Sequence, residues 1–301
     1  MWFFIAVIAF FFLALASVID KFLLTKTKIV PVSFAFFISL GGLLTTILLI
    51  FEKNFFFPQA WLLEVVLGGL TYFFGLYFMF KAVAVSEISK SNPLIVSLTP
   101  IAAFLLSWSL GLDLLKPAKI LGVILIIIGS YYLSQVGSKN TRINKKAWLY
   151  IIIAGLLLGA TNVYSKIAYD NLPFINALVW LRWSSFVIGV IFVSLIGKWP
   201  EIFFKNKEKK VKTIKLAWLV FVIGQVAGSI GVMLQQWAID LGNVILVSAL
   251  NGLQFFFVIL LVYLFSKFMP QVIKEDVQKK YLAKKIIWSV FLFIGLVLIL
   301  V

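Results

Sequence analysis

The sequence predicts an all-α polytopic membrane protein: ten transmembrane helices forming two inverted five-helix repeats. Three observations carry this expectation. Of the 301 residues, 63% are apolar and the mean hydropathy is +1.10, against about 45–50% apolar in soluble domains. Ten stretches with few or no charges lie at 2–19, 31–51, 65–80, 91–112, 120–138, 147–165, 174–197, 216–239, 241–266 and 286–301. Each approaches the roughly 20 apolar residues that a spanning helix needs, and none alternates as a barrel strand does. Finally, the second half of the chain repeats the first.

Span one invites comparison with a signal peptide, because residues 2–16 are apolar and Ala14-Leu15-Ala16 resembles a small-residue cleavage site. It lacks the basic n-region of such peptides and has a counterpart later in the chain, so it reads as an uncleaved first helix. Span three ends in the stretch YFMFKAVAVSEISKSNPLIVSLTPI, 77–101. Lys81 follows a full-length apolar run and is expected at an interface. Ala82 to Glu87 read as a short turn, with Lys90 just beyond it. Ser86 or Ser89 supplies a helix cap. Pro93 is then expected in the first turn of span four, and Pro100 deeper, where it kinks the helix or frees a carbonyl. Glu87 and Asn92 would face a cavity mouth. Trp61, Trp148, Trp218 and Trp288 stand near span starts and read as interfacial anchors.

The repeat appears when the chain is slid along itself, by 145 residues at the first match, 156 at the second and 166 at the third. LASVIDKF (15–22) then lies over ATNVYSKI (160–167), with Lys21 on Lys166. GLYFMFKAVAVSEI (75–88) lies over GVMLQQWAIDLGNV (231–244), with Gly75 on Gly231. KILGVILIIIG (119–129) lies over KIIWSVFLFIG (285–295). The expected division is a first repeat at 1–135, a linker at 136–146 and a second repeat at 147–301. Five spans per repeat is an odd number, so the second repeat enters from the opposite side, as in many secondary carriers.

The same segments resemble a known family. FKAVAVSEISKSNPLIVSLTPIAAFLLSWSLG followed by KPAKILGVILIIIGSYYL looks like the end of an EamA domain of the drug/metabolite transporter superfamily, and VIDKFLL (18–24) like the end of its first helix. The second half is similar through AIDLGNVILVSALNGLQFFFVILL and KIIWSVFLFIG. The resemblance implies ten helices, a central cavity and transport of a small metabolite, often export. It also implies a place near the cavity for an arginine in span seven. The family commonly has Gly-Glu after the fourth helix of a repeat. Here Leu112 and Asp113 follow Gly111, and the second loop is expanded to 267–285. Asp113 and Glu275 are the available substitutes.

Composition excludes much else. The net charge is +16, but the lysines lie between spans, where they set orientation and meet anionic headgroups; nucleic acid is not the expected partner. Cys and His are both absent, which removes thiol and imidazole chemistry and the metal sites built on them. No Walker motif is present. No metal, no cofactor and no enzymatic activity are expected. The expected partners are a small-molecule substrate and the bilayer, in a prokaryotic cell (inner) membrane crossed many times. Segments 120–133 and 286–301, in spans five and ten, carry no charge or amide and suit lipid or a partner subunit, so a homodimer fits.

Polar residues inside the spans mark the candidate site. Gln225, Ser229, Gln236 and Asp240 share one face of span eight. Span nine offers Ser248, Asn251 and Gln254; span six offers Gly155, Gly159, Asn162 and Lys166. Arg182, in WLRWSSF of span seven, carries more weight, because a charge at the bilayer centre costs at least about 2.5 kcal/mol. Its structural alternatives are a carboxylate pair or snorkelling to an interface. Amides in spans also bond helix to helix, at about 0.6 kcal/mol each. Trp180 and Trp183 read as packing before they read as a stacking cage. The candidate lining is therefore Arg182, Gln225, Gln236, Asn251, Gln254 and Asn162, with Asp20, Glu64, Glu87 and Asp240 as candidate coupling carboxylates. Arg182 would suit a carboxylate- or phosphate-bearing substrate. The leading function is a secondary transporter. The alternative is a membrane-embedded enzyme or lipid flippase, disfavoured by loops that are short and Lys-rich.

Charge bias and resemblance disagree on orientation. Of the 27 basic residues, 22 fall in odd connections and four in even ones. The positive-inside rule then puts both termini outside, whereas the resemblance implies both inside. The charge count is favoured, so a periplasm-active reporter fused after Val301 is expected to be active and a cytoplasm-active one silent. The reverse pattern would show that charge bias does not set this topology.

Overall fold

A computed structural model describes residues 1–24, 30–86, 88–112, 116–135, 144–203, 215–268 and scattered positions between 284 and 298. Every element among the described residues is helical. In order they are α1 (Trp2–Leu24), α2 (Pro31–Gly42), α3 (Leu62–Val85), α4 (Ile88–Ser109), α5 (Pro117–Gln135), α6 (Lys145–Asn171), α7 (Phe174–Leu195), α8 (Trp199–Phe203), α9 (Lys215–Leu241), α10 (Val244–Leu250) and α11 (Leu253–Phe268). Among the described residues, five spans are long and apolar enough to cross a membrane: Trp2–Ile19, Pro31–Phe51, Gln59–Val85, Lys145–Asn171 and Phe174–Leu195.

The chain divides into two compact units that do not follow its halves. The first unit holds Met1–Lys28, Asp113–Arg142 and Val211–Val301; the second holds Ile29–Leu112 and Ile143–Lys210. The opening helix of each half thus joins helices of the other half.

In the first unit α1 packs along α9 and α11. A Cβ on Gly231 would lie 2.8 Å from Leu13 Cγ, and one on Gly224 would lie 2.6 Å from Ile19 Cγ2. The two backbones meet because these glycines carry no side chain, the close approach that substitutes for hydrophobic drive inside lipid. The fifth span and the tenth segment also meet here. Trp288 stacks on Tyr132 with centroids 4.3 Å apart, and Gly295 abuts Gly122 and Ile126.

In the second unit α6 packs along α3 and α4. A Cβ on Gly75 would lie 2.8 Å from Leu158 Cδ2, and one on Gly68 3.5 Å from Tyr164 Cβ. Leu13 and Leu158 are 145 positions apart, and so are Ile19 and Tyr164. Gly75 and Gly231 are 156 apart, and so are Gly68 and Gly224. The same pair of contacts therefore occurs once in each unit. Gly155 and Gly159 bring α6 onto Ile95, Leu98, Thr99 and Ala102 of α4. The α3–α6 seam also carries a hydroxyl chain: Thr161 Oγ1 donates to Thr71 Oγ1 at 3.0 Å, and Thr71 Oγ1 donates to the Leu67 carbonyl at 2.8 Å.

Several local expectations are corrected. Ala82–Val85 do not form a turn: α3 runs through Val85, because an Ala-Val run has no helix-stopping residue. Lys81 is thus helical, its ammonium 4.6 Å from the Tyr77 ring centroid and 5.3 Å from that of Tyr150. Ser86 does not cap α4; its hydroxyl donates to the Ala82 carbonyl at 2.6 Å and closes α3. Because α4 begins at Ile88, Pro93 lies in its second turn. Span two changes winding at Gly42, from α-helix to a nine-residue 3₁₀ stretch, Leu43–Phe51. Runs that long are uncommon. Span nine tightens at Asn251–Gly252, between α10 and α11, where Asn251 N–H donates to the Ser248 carbonyl at 3.3 Å and Gly252 N–H to the Ala249 carbonyl at 3.1 Å.

Candidate functional site

Arg182 is the ninth residue of the 22-residue α7, near the middle of a helix long enough to span. That position removes snorkelling as its explanation. The residue is 8% exposed. Its stem lies along Gly42, where a Cβ would come within 3.3 Å of Arg182 Cδ. Its guanidinium stands over Tyr72 of α3, with Cζ 4.3 Å from the ring centroid. Among the described residues no carboxylate pairs with it. This leaves a cation at mid-span, set over an aromatic ring and with no counter-charge among the described residues.

The surroundings are small and hydroxylic. Ser39 and Ser185 are both buried, their oxygens 3.1 Å apart. Ser184 Oγ donates to the Val65 carbonyl at 2.9 Å, tying α7 to α3. Trp180 and Trp183 pack as expected. Trp180 stacks on Phe55, donates from Nε1 to the Phe56 carbonyl at 2.9 Å and meets Phe57 edge-on. Trp183 Nε1 donates to Thr46 Oγ1 at 2.9 Å. The Asn176 amide, with its nitrogen toward the Phe56 carbonyl, brackets the Phe56 peptide at 3.3 and 3.1 Å. These contacts fasten the 3₁₀ stretch and the Phe55–Phe57 loop to α7.

The other candidates fall within one unit or the other. In the second unit Asn162 is buried and polar-bonded, and the Oε2 atom of Glu64 is buried without a hydrogen-bond partner. Lys166 pairs with Asp170 at 2.7 Å, one turn on. In the first unit Gln254 is buried, and its Nε2 donates to Ser17 Oγ at 2.8 Å and the Leu13 carbonyl at 3.3 Å. Its amide thus bonds helix to helix. Gln236 is buried and has a polar partner, as has Asp240. Asn251 sits at the α10–α11 junction with Oδ1 buried and unbonded. The side chains of Asp20 and Gln225, together with Glu87, Asp113 and Glu275, lie outside the described residues.

Sequence reasoning did not single out Tyr72 or Gly42. Tyr72 is hidden in a run of aromatics, TYFF, and only its position beside Arg182 marks it. The Gly41-Gly42 pair inside an unbroken apolar run was a readable signal of close approach.

Known proteins fix the family. Among curated proteins none matches the chain. A solved structure described as "Crystal structure of protein" matches with a TM-score of 0.65 at 18% identity, covering 98% of this chain and 94% of that one. That likeness concerns the fold alone. The model of the EamA-like transporter family matches residues 1–135 and 145–274, nearly the whole chain. This chain is therefore a member of the EamA-like transporter family, a membrane transporter of the drug/metabolite transporter type.

Proposed function

We propose that this protein is a secondary transporter that carries a small metabolite or drug by alternating access, through ten helices arranged as two inverted repeats at 1–135 and 147–301. The repeated glycine contacts support this reading most. Gly231 with Leu13, and Gly75 with Leu158, are the same contact made once in each unit. Two related but separable arrangements of helices are what a rocking carrier requires, with its substrate near the midplane. On this reading Arg182 and Asn162 are the lining of one unit, and Gln236, Asn251 and Gln254 that of the other. Glu64 and Asp240 are the described carboxylates available for proton coupling. The membrane-enzyme and flippase readings are not favoured by the family.

The test is flux into sealed proteoliposomes, using a panel of amino acids, organic acids and small drugs. Protein-dependent, saturable counterflow of at least one panel member is expected. Liposomes that carry folded protein and show no flux for any solute class would contradict the proposal.

A further inference from the structure

We propose that the substrate group recognised at Arg182 is an oxyanion, a carboxylate or a phosphate, taken by the free edge of the guanidinium, with Tyr72 as the positioning residue. This rests on the transporter reading for its purpose, but its chemistry is testable apart from transport.

A guanidinium offers five N–H donors in a planar fork. Among the described residues none of the Arg182 donors is hydrogen-bonded, yet the residue is 92% buried, its accessible share being 8%. None of its nitrogens is both fully buried and unbonded, so the donors keep access to open space. Leaving such a group unsatisfied inside a membrane protein is expensive. The guanidinium carbon stands over the Tyr72 ring, 4.3 Å from its centroid, and the stem is held along Gly42. A ring attracts a cation through its face but offers the N–H donors no lone pair, and no oxygen among the described residues accepts from them. The edge of the fork is thus left for a partner with two oxygens at matching spacing, the geometry shared by carboxylate and phosphate. A neutral amide offers one acceptor oxygen and no charge. Lysine at this position would lack the planar fork. Gly42 contributes by omission, because a Cβ there would stand 3.3 Å from Arg182 Cδ and press on the stem.

The sequence contains only two arginines, Arg142 and Arg182. In the full-length purified chain carrying Arg142→Lys, Arg182 is the sole target of phenylglyoxal, and its modification can be followed by mass spectrometry. Benzoate, inorganic phosphate and benzamide serve as probes. Either oxyanion is expected to slow modification at least 5-fold, while benzamide leaves it unchanged. Protection by benzoate alone or by phosphate alone identifies which oxyanion fits. Tyr72→Phe keeps the ring and should keep protection. Tyr72→Leu should raise the half-protecting concentration about 10-fold, with the melting temperature held within the range of Tyr72→Phe. A merely structural tyrosine would instead lower that temperature and leave protection intact.

An Arg182 that phenylglyoxal never reaches, protection by benzamide equal to that by benzoate, or no protection by either oxyanion would each overturn the proposal. Flux of a neutral or cationic solute that survives Arg182→Gln would sink it and leave the transporter reading standing. Oxyanion protection in a chain that moves nothing would sink the transporter reading alone.

Discussion

Arg182→Ala is expected to lower kcat/KM for transport at least about 100-fold, because each hydrogen bond to a charged group contributes about 1.5–3 kcal/mol and the fork makes two. The protein itself should not suffer. Arg182 touches Tyr72 and Gly42, so the substitution removes a buried charge that no carboxylate among the described residues neutralises. The melting temperature in detergent is expected to stay level or rise. Arg182→Lys should keep the charge and still lose most of the activity, since the fork is gone. If Arg182→Ala instead melts early and retains flux per folded molecule, the residue is structural and the site lies elsewhere.

Gly69→Ala should have the largest effect on folding. A Cβ there would stand 2.6 Å from the backbone nitrogen of Ser185 and 2.9 Å from the Ser184 carbonyl carbon, with Ser184 Oγ closer still. A hydroxyl can rotate away, but the α7 backbone cannot. α3 and α7 must separate, breaking the Ser184 bond to the Val65 carbonyl. Overpacking of this kind costs about 3 kcal/mol, or roughly 10 °C in melting temperature. Gly41→Ala is the control: nothing lies within 4 Å of a Cβ there, and no measurable change is expected. Equal melting of the two variants would contradict the α3–α7 packing described above.

What the sequence discloses depends on how far a residue's environment is local. The membrane class and the repeat were legible, because apolar length and the recurrence of Gly75 at Gly231 are properties of the string. Arg182 was legible for the same reason, as a lone charge in an apolar run. Its ring was not: Tyr72 is 110 positions away and looks like its aromatic neighbours. The exchange of opening helices between halves was also hidden, since the two halves alone do not say which helix each glycine meets. The Asn251–Gly252 tightening was half legible. Asn-Gly is a turn pair, but the surrounding hydropathy made 241–266 read as one helix. Ser86 was misplaced because a serine between two helices can close the first or cap the second, and only the geometry selects.

The central claim is that a mid-span site at Arg182 opens alternately to the two sides of the membrane. The chain has no cysteine, so Ser185→Cys, a near-isosteric change one turn after that arginine on α7, places a single thiol there with no background. The decisive measurement is labelling of this thiol by a membrane-impermeant maleimide, applied to one face of sealed vesicles and then, in separate samples, to the other. The account predicts labelling from either face, with a transported solute shifting the ratio between them. Labelling from one face alone, unmoved by any solute that the protein carries, would contradict it.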